Sequence, residues 1–309
     1  MNLKDDILWY NSSDGAIQIW FMDGDRIAHR ANVVDEHGSA IFIGPPWSIV
    51  GTGGGGYVVY GAIGDKYTQL GGLNSWLGRP TSYQALFSQD GQVSTFENGA
   101  IYWWPDTGAI ELSNIVVHYK GLYCWSETNE SSAADEPYVI FGILPAPPAV
   151  PSEVMTQIYT SVDAGHGRPD TVELYRGSPH GLALGVVLWE HDYSDRDKFL
   201  QQVKDGVALA GAGVAAGCAA LPYVGAAAGP ACVALWEEFG PVLVKFVNRI
   251  LGTDDDLIEK WVWHVTAKEM VTKTRAPLQD FWGIKYHLES KLLIGDGGNY
   301  KVYLDIHAV

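Results

Sequence analysis

Acidic side chains gather in three short stretches that each follow an apolar segment typical of a β-strand. The stretches hold Glu127 with Asp135 and Glu136, then Glu190, Asp192, Asp195 and Asp197, and finally Asp254, Asp255 and Asp256. Calcium takes about six to eight hard oxygen ligands, which proteins often supply from several loops. If these stretches meet at one end of a domain, they could hold this ion, although acidic loops are more often only solvated.

Motifs that define common classes of enzyme are missing from the sequence. It has no G-x-S-x-G, H-E-x-x-H or C-x-x-C pattern, and the glycine run at 51–56 lacks the lysine of a phosphate-binding loop. His166, His180 and His191 lie near acidic residues and would suit acid–base chemistry or a metal. Scattered loop histidines are more often incidental. We therefore favour a protein without enzymatic activity and keep a hydrolase of wall polymer as an alternative.

The elements that must position these side chains are mostly strands. Apolar and aromatic runs alternate with Asp-Gly and proline-rich turns, which is the pattern of antiparallel sheets. A hairpin and a third strand are predicted near the N-terminus, a long strand from Ile115, and a final hairpin that turns at residues 296–298. The sequence predicts a mainly β protein with two domains, residues 1–114 and 115–309.

One segment departs from this pattern. Residues 206–236 contain no charged side chain, although the formal net charge of the protein is −16. Pro222 and Pro230 bracket the centre, and proline ends or kinks helices, so we predict an inserted helical hairpin at about 198–251. It could form buried core or an oligomer interface, or it could insert into a membrane. The residues assigned to membrane insertion are Val214, Leu221, Tyr223 and Val224.

Composition limits the partners. An acidic protein lacks the basic stripe that neutralises phosphates, so a nucleic-acid partner is not expected. The three cysteines are too few for a disulfide scaffold, but Cys218 and Cys232 flank the hairpin bend and could pair or stay as free thiols. The N-terminus has no signal-peptide pattern. A cytosolic protein, a leaderless export route or a removed leader all remain open.

Two segments carry a family resemblance. Residues 61–82 and 91–112, which include the tetrapeptide LGRP at 77–80, resemble the LGFP repeat. Arg79 replaces the phenylalanine of the eponymous motif. The resemblance implies a secreted or cell-surface protein with a cell-wall or surface glycan as partner. The segment that starts at Asp6 is similar to a single blade repeat of bacterial β-propellers and implies little about function.

Aromatic residues in the LGFP-like region are candidates for glycan contact. Tyr102, Trp103 and Trp104 are consecutive, and neighbouring residues on a strand face opposite ways. At least one of the two tryptophans could therefore be exposed and stack on a sugar ring. Packing in the core of the module is the alternative.

The second domain resembles a C2-type β-sandwich at two places. The segment ETNESSAADEPYVIFG is similar to the first loop and following strand of C2 domains, and VVLWEHD with TDDDLIEKWV to their third loop, where Glu259 replaces a usual glycine. The resemblance places the apolar hairpin within that third loop. The calcium ligands that it implies are Asp135, Asp192, Asp254 and Asp256, with Glu190 as a weaker candidate.

Together these patterns predict a non-enzymatic surface-binding protein. The N-terminal module would recognise a glycan, and the C-terminal domain would associate with an anionic membrane with the help of calcium. Such a protein could be toxin-like or pore-forming. A structural or adhesion protein whose hairpin forms core or an oligomer interface is the alternative from another class.

Overall fold

The computed structural model describes residues 57, 59–129, 134–146, 149–191, 200–201, 203–205, 208 and 257–309, together with the backbone of three strands before residue 33. The chain divides into two compact units. The first unit comprises Met1–Leu86 and Asp90–Leu112, and the second comprises Phe87–Gln89 and Ser113–Val309. Both are built mainly from antiparallel strands, which confirms the mainly β class.

The first three strands form their own antiparallel sheet in the order β1-β2-β3. They are β1 (Ile7–Tyr10), β2 (Ile17–Asp23) and β3 (Arg26–Asn32). Trp9 lies opposite Gln18 in the β1–β2 register. The predicted hairpin with a third strand is therefore confirmed.

A second sheet of the first unit contains the LGFP-like region. Its strands, in order, are β4 (Ala85–Phe87), β5 (Gly91–Phe96), β6 (Gly99–Trp104) and β7 (Gly108–Leu112). Before them lies helix α1 (Gly61–Gln69), whose N-cap residue makes no side-chain hydrogen bond. Ile63 and Tyr67 are buried and four residues apart, so packing of one helical face stabilises α1. The core that they join contains Val59, Leu77, Phe96 and Ile101.

The second unit contains two larger sheets. The first has the order β10-β9-β12-β13, and the second has the order β11-β8-β18-β16 with β17 also paired to β18. The strands are β8 (Ile115–Ser126), β9 (Tyr138–Pro145), β10 (Ser152–Met155), β11 (Gly167–Gly177), β12 (Leu182–Trp189), β13 (Leu257–Val265), β16 (Leu288–Glu289), β17 (Leu293–Gly295) and β18 (Gly298–Ala308). A separate small hairpin consists of β14 (Gln279–Phe281) and β15 (Ile284–Tyr286).

The two larger sheets pack against each other as in a β-sandwich. Tyr119 of β8 and Phe141 of β9 are fully buried, and their rings are 5.3 Å apart. Every residue of β9 is buried, as expected for a strand covered on both faces. Gly121 allows β8 to pair closely with β11, because a Cβ at this positive φ would lie 2.2 Å from the Arg168 carbonyl oxygen.

Turn and cap residues set the ends of the later elements. Helix α2 (Ala267–Lys273) begins with a capping box, in which Thr266 and Glu269 each accept the other's backbone N–H. The final hairpin turns through Asp296 and Gly297, which both have positive φ, and Gly295 lies opposite Gly298. The predicted terminal hairpin is confirmed.

The predicted helical hairpin lies almost wholly outside the described residues. Residues 200–201, 203–205 and 208 are helical, and residues 209–256 are not described. The four membrane-insertion residues and the Cys218–Cys232 pair therefore remain predictions. Among the helices that are described, none combines the length and apolar character needed to span a membrane.

Candidate functional site

The LGRP segment forms a tight turn against the core of the first unit. Leu77 is fully buried, and the Tyr67 hydroxyl donates a hydrogen bond to the Gly78 carbonyl oxygen at 2.7 Å. Gly78 has a φ of 72°, which a residue with a side chain rarely adopts. Arg79 is exposed and its backbone N–H donates to the Glu97 carboxylate. The arginine in place of phenylalanine is tolerated because its side chain faces solvent.

An exposed indole lies directly before this turn. Trp76 is 48% exposed, and Asn98 Nδ2 donates a hydrogen bond to its carbonyl oxygen at 3.0 Å. A Cβ on Gly99 would lie 3.0 Å from two atoms of the Trp76 six-membered ring. The ring therefore rests on the backbone of Gly99, which fixes its orientation while leaving part of its surface accessible.

The three predicted glycan-binding residues differ in exposure. Tyr102 and Trp104 are 2% and 0% exposed, and their rings stack 6.5 Å apart with 13° between the ring planes. Such burial argues against sugar stacking by these two rings, because neither offers a free face. Trp103 is partly buried and packs against the core that contains Ile101. Alternation along β6 thus makes Trp103 more exposed than Tyr102 and Trp104, but Trp103 is still partly buried.

Asp135, the first predicted calcium ligand, is a buried carboxylate with several donors. It is 2% exposed. The Thr128 backbone N–H and hydroxyl both donate to it, the hydroxyl at 2.8 Å, and the Tyr300 hydroxyl also donates. Burial and this hydrogen bond raise the pKa of Tyr300 far above its ordinary value, so the phenol keeps its proton. The carboxylate links the loop after β8 to β18, and both of its oxygens already accept hydrogen bonds.

Glu190, the weaker calcium candidate, is also buried. It is 4% exposed, and its Oε1 accepts the backbone N–H of Glu136 at 2.5 Å. Glu190 thus contacts the backbone of the residue that directly follows Asp135. Asp192, Asp254 and Asp256 lie outside the described residues. A calcium site made of all five residues remains a prediction.

The three histidines singled out in the sequence occupy separate environments. His166 is exposed, and its Nδ1 lies 3.3 Å from an Asp163 carboxylate oxygen. His180 is partly buried, and this burial lowers its pKa to about 4, so it is neutral at pH 7. His191 packs its ring edge-on to Tyr138 at 6.3 Å. These contacts with different partners provide no support for a shared catalytic site.

Both units are mainly β, and the exposed aromatic turn belongs to the first of them. The LGFP repeat model matches residues 77–120, a segment that begins within the LGRP turn and runs into β8. LGFP repeats occur in surface or cell-wall-associated proteins, and the match is consistent with such a location. No curated protein matches the sequence. The resemblance to C2 domains receives no support from these comparisons.

Sequence reasoning missed Trp76 as the exposed ring of this region. The sequence predicted an exposed ring at Trp103 or Trp104, because adjacent residues on a strand face opposite ways. Trp76 stands alone before a glycine turn, and its exposure depends on Gly99, which is distant along the chain. The position of Trp76 directly before the LGRP motif was the sequence feature that could have indicated an exposed ring at this turn.

Proposed function

We propose that this protein is a non-enzymatic binding protein of the cell surface or cell wall, and that its LGFP-like unit holds a glycan of the wall. Support comes from the match to the LGFP repeat at residues 77–120. The observation that carries the ligand class is the exposed Trp76 ring seated on Gly99 beside that segment. An indole with a fixed orientation and an accessible face suits stacking against the apolar face of a sugar ring.

A fixed orientation favours binding, because each side chain that becomes ordered on binding loses conformational entropy. An immobilised side chain costs about 0.5–1.5 kcal/mol in an interface, and a ring that is already held avoids much of this cost. The Trp76 ring is held from below by the backbone of Gly99, and its main chain is held by Asn98. A single stacking ring supports modest affinity, which suits attachment to a polymer that repeats the same sugar many times.

The experiment is co-sedimentation of the full chain with insoluble bacterial cell-wall polysaccharide. We expect the unaltered protein to pellet with the polymer and Trp76→Ala to lose at least about fivefold in affinity, equivalent to about 1 kcal/mol of stacking. Leu73→Ala is the matched control, since Leu73 is an apolar side chain of the same unit with 47% exposure. Equal retention of Trp76→Ala and the unaltered protein would contradict the role of Trp76, and no pelleting of either would contradict glycan binding.

Calcium-assisted association with anionic membranes remains a proposal from the sequence alone. Of its five ligands, Asp135 and Glu190 are buried within hydrogen bonds, and the others lie outside the described residues together with the apolar hairpin. Co-sedimentation with anionic liposomes in calcium and in excess chelator tests it. Pelleting only in calcium would support the proposal, and absence of pelleting in both would contradict it.

A further inference from the structure

Two histidines and an aspartate meet on one face of the sheet that contains β8 and β18. His118 of β8 lies opposite Asp305 of β18 in the strand register, and His307 follows Asp305 by two residues, so all three side chains point to the same face. One ligand atom from each residue lies within 4.8 Å of the other two. Pairing of the first and last long strands of the unit therefore creates the cluster.

The Asp305 carboxylate is buried between imidazoles. Its side chain is 4% exposed, and its Oδ2 lies 2.5 Å from Nε2 of His307. Its Oδ1 lies 2.9 Å from Nδ1 of His287. That nitrogen already accepts the Ile306 backbone N–H at 3.2 Å, while the other ring nitrogen lies 3.1 Å from the Ala276 carbonyl oxygen and so carries the hydrogen.

A neutral His287 therefore offers no proton to Asp305. Within the described part of the chain, Oδ1 of this carboxylate has no hydrogen-bond donor. A buried carboxylate oxygen without a donor is costly, and a bound cation would relieve that cost. His287 is 4% exposed and is fixed at both ring nitrogens, so it orients the carboxylate from behind.

The opposite side of the cluster is open. The His307 side chain is 45% exposed and that of His118 is 20% exposed. Burial lowers the pKa of His118. Glu173 of β11 stands at the rim, with its carboxylate 4.0 Å from Nε2 of His118. Two imidazoles and one carboxylate, with an accessible remaining side, form a set of ligands for a borderline metal ion.

We propose that His118, Asp305 and His307 bind a divalent transition-metal ion of the zinc class, with His287 as a positioning residue behind Asp305. Imidazole ligands favour zinc and its neighbours over calcium, which prefers oxygen alone. Three protein ligands leave a coordination position for water or for a ligand. This site is separate from the predicted acidic calcium loops and does not depend on glycan binding by the first unit.

The distances require side-chain adjustments. Zinc binds nitrogen and oxygen at about 2.0–2.2 Å in tetrahedral geometry, so two ligand atoms on one ion are about 3.3–3.6 Å apart. A pair of ligand atoms separated by 4.8 Å must approach by about 1 Å, and the close contact of Asp305 with His307 must open to admit the ion. The exposed His307 ring can make this movement by rotating about its side-chain bonds.

The experiment measures zinc binding to the full chain after treatment with chelator, by competition with a chromophoric zinc indicator. We expect one high-affinity zinc ion per chain, and a loss of at least about 100-fold in affinity for His307→Gln and for His118→Gln, because even outer residues of zinc sites contribute about 10- to 100-fold. His287→Gln should lose about 10- to 100-fold. Cobalt(II) in place of zinc should give a visible absorption band that both ligand variants abolish.

His166→Gln is the matched control, because His166 is an equally exposed histidine beside an aspartate elsewhere in the same unit. It should bind zinc as the unaltered protein does. His307 is exposed, so its variant is expected to fold, which circular dichroism would verify. Absence of zinc binding at micromolar concentration, or unchanged affinity in both ligand variants, would overturn the proposal. In either case the cluster would be an Asp–His ion-pair network alone.

Discussion

Two buried aspartates of the second unit, Asp135 and Asp305, have opposite surroundings. Asp135 receives the Thr128 amide and hydroxyl and the Tyr300 hydroxyl, none of which changes its charge near neutral pH. Asp305 is instead flanked by the imidazoles of His287 and His307. Both carboxylates are nearly inaccessible to solvent.

The comparison shows that partners, more than the number of acids in a loop, determine what a buried carboxylate can do. Asp135 lies in an acidic stretch and looks like a cation ligand in the sequence, yet hydroxyl and amide donors occupy its oxygens. Asp305 lies in the pattern DIHAV at the end of the chain, with no acidic neighbour in sequence. Its imidazole neighbours are groups that can share a metal ion with a carboxylate, which is the basis of the zinc site proposed above.

The largest stability effect is expected for Asp135→Asn. The amide has a single acceptor oxygen and a donor group that would face the Thr128 N–H, so the variant should lose about 3 kcal/mol of unfolding free energy. The loss should be the same with calcium or with chelator, because the hydrogen bonds are internal. Urea denaturation measures it, and Asp163→Asn, at an aspartate with 46% exposure, is the control with little effect. A loss that appears only in calcium would instead make Asp135 a metal ligand.

His180, unlike His118 beside Asp305, has a pKa that is shifted by burial alone, so its effect on stability depends on pH. Burial lowers the pKa of His180 to about 4, whereas the unfolded chain binds this proton near pH 6.5. Between these two pH values the unfolded state therefore binds more protons than the folded state. The free energy of unfolding accordingly falls as the pH falls. The His180 contribution is intact above about pH 6.5 and is lost progressively toward pH 4.

For this reason His180→Gln should lose less stability on acidification than the unaltered protein does. Between pH 7 and pH 5 the difference should amount to about 2 kcal/mol, since one pKa unit corresponds to about 1.4 kcal/mol. Parallel urea denaturation at both pH values measures it. Identical pH dependence in the two proteins would mean that His180 takes up its proton in the folded state as readily as in the unfolded chain.

Much of the strand pattern could be predicted from the sequence, because apolar runs and turn residues are local signals. The long strand from Ile115 and the final hairpin at Asp296 are examples. Helix α1 was missed, since GAIGDKYTQ contains two glycines and lacks a side-chain cap. Packing of Ile63 and Tyr67 against the sheet, a tertiary effect, overrides this weak local preference.

The candidate sites depended more on long-range pairing. Whether β8 lies beside β18 cannot be read from either strand, so the meeting of His118 with Asp305 has no local signal. The same holds for Asp135, whose partner Tyr300 lies on β18. Spacing in the sequence identified acidic residues that are close along the chain. The side chains that share a site are instead far apart along the chain, as His118 and Asp305 are.

Thr128→Val is a smaller change at the Asp135 site, because it removes only one of the hydrogen bonds to this carboxylate. Valine keeps the backbone N–H that donates to Asp135 and removes only the hydroxyl, which donates at 2.8 Å. The expected loss is about 1–2 kcal/mol of unfolding free energy, because one hydrogen bond to a charged group is removed. Urea denaturation again measures it. If Thr128→Val and Asp135→Asn cost the same, the hydroxyl alone would account for the role of the carboxylate.

The smallest effect is expected at the rim of the Asp305 cluster, for Glu173→Gln. Hydrogen bonds from Arg176 lower the pKa of Glu173 and keep it ionised, but both side chains are about half exposed, so the change in unfolding free energy should stay within about 0.5 kcal/mol. Its carboxylate is 4.0 Å from His118, and its removal should weaken zinc binding by less than tenfold, as loss of a screened charge near the ion. Indicator competition compares it with His307→Gln. A loss as large as that of His307→Gln would make Glu173 a fourth direct ligand, and the site would then have no open coordination position.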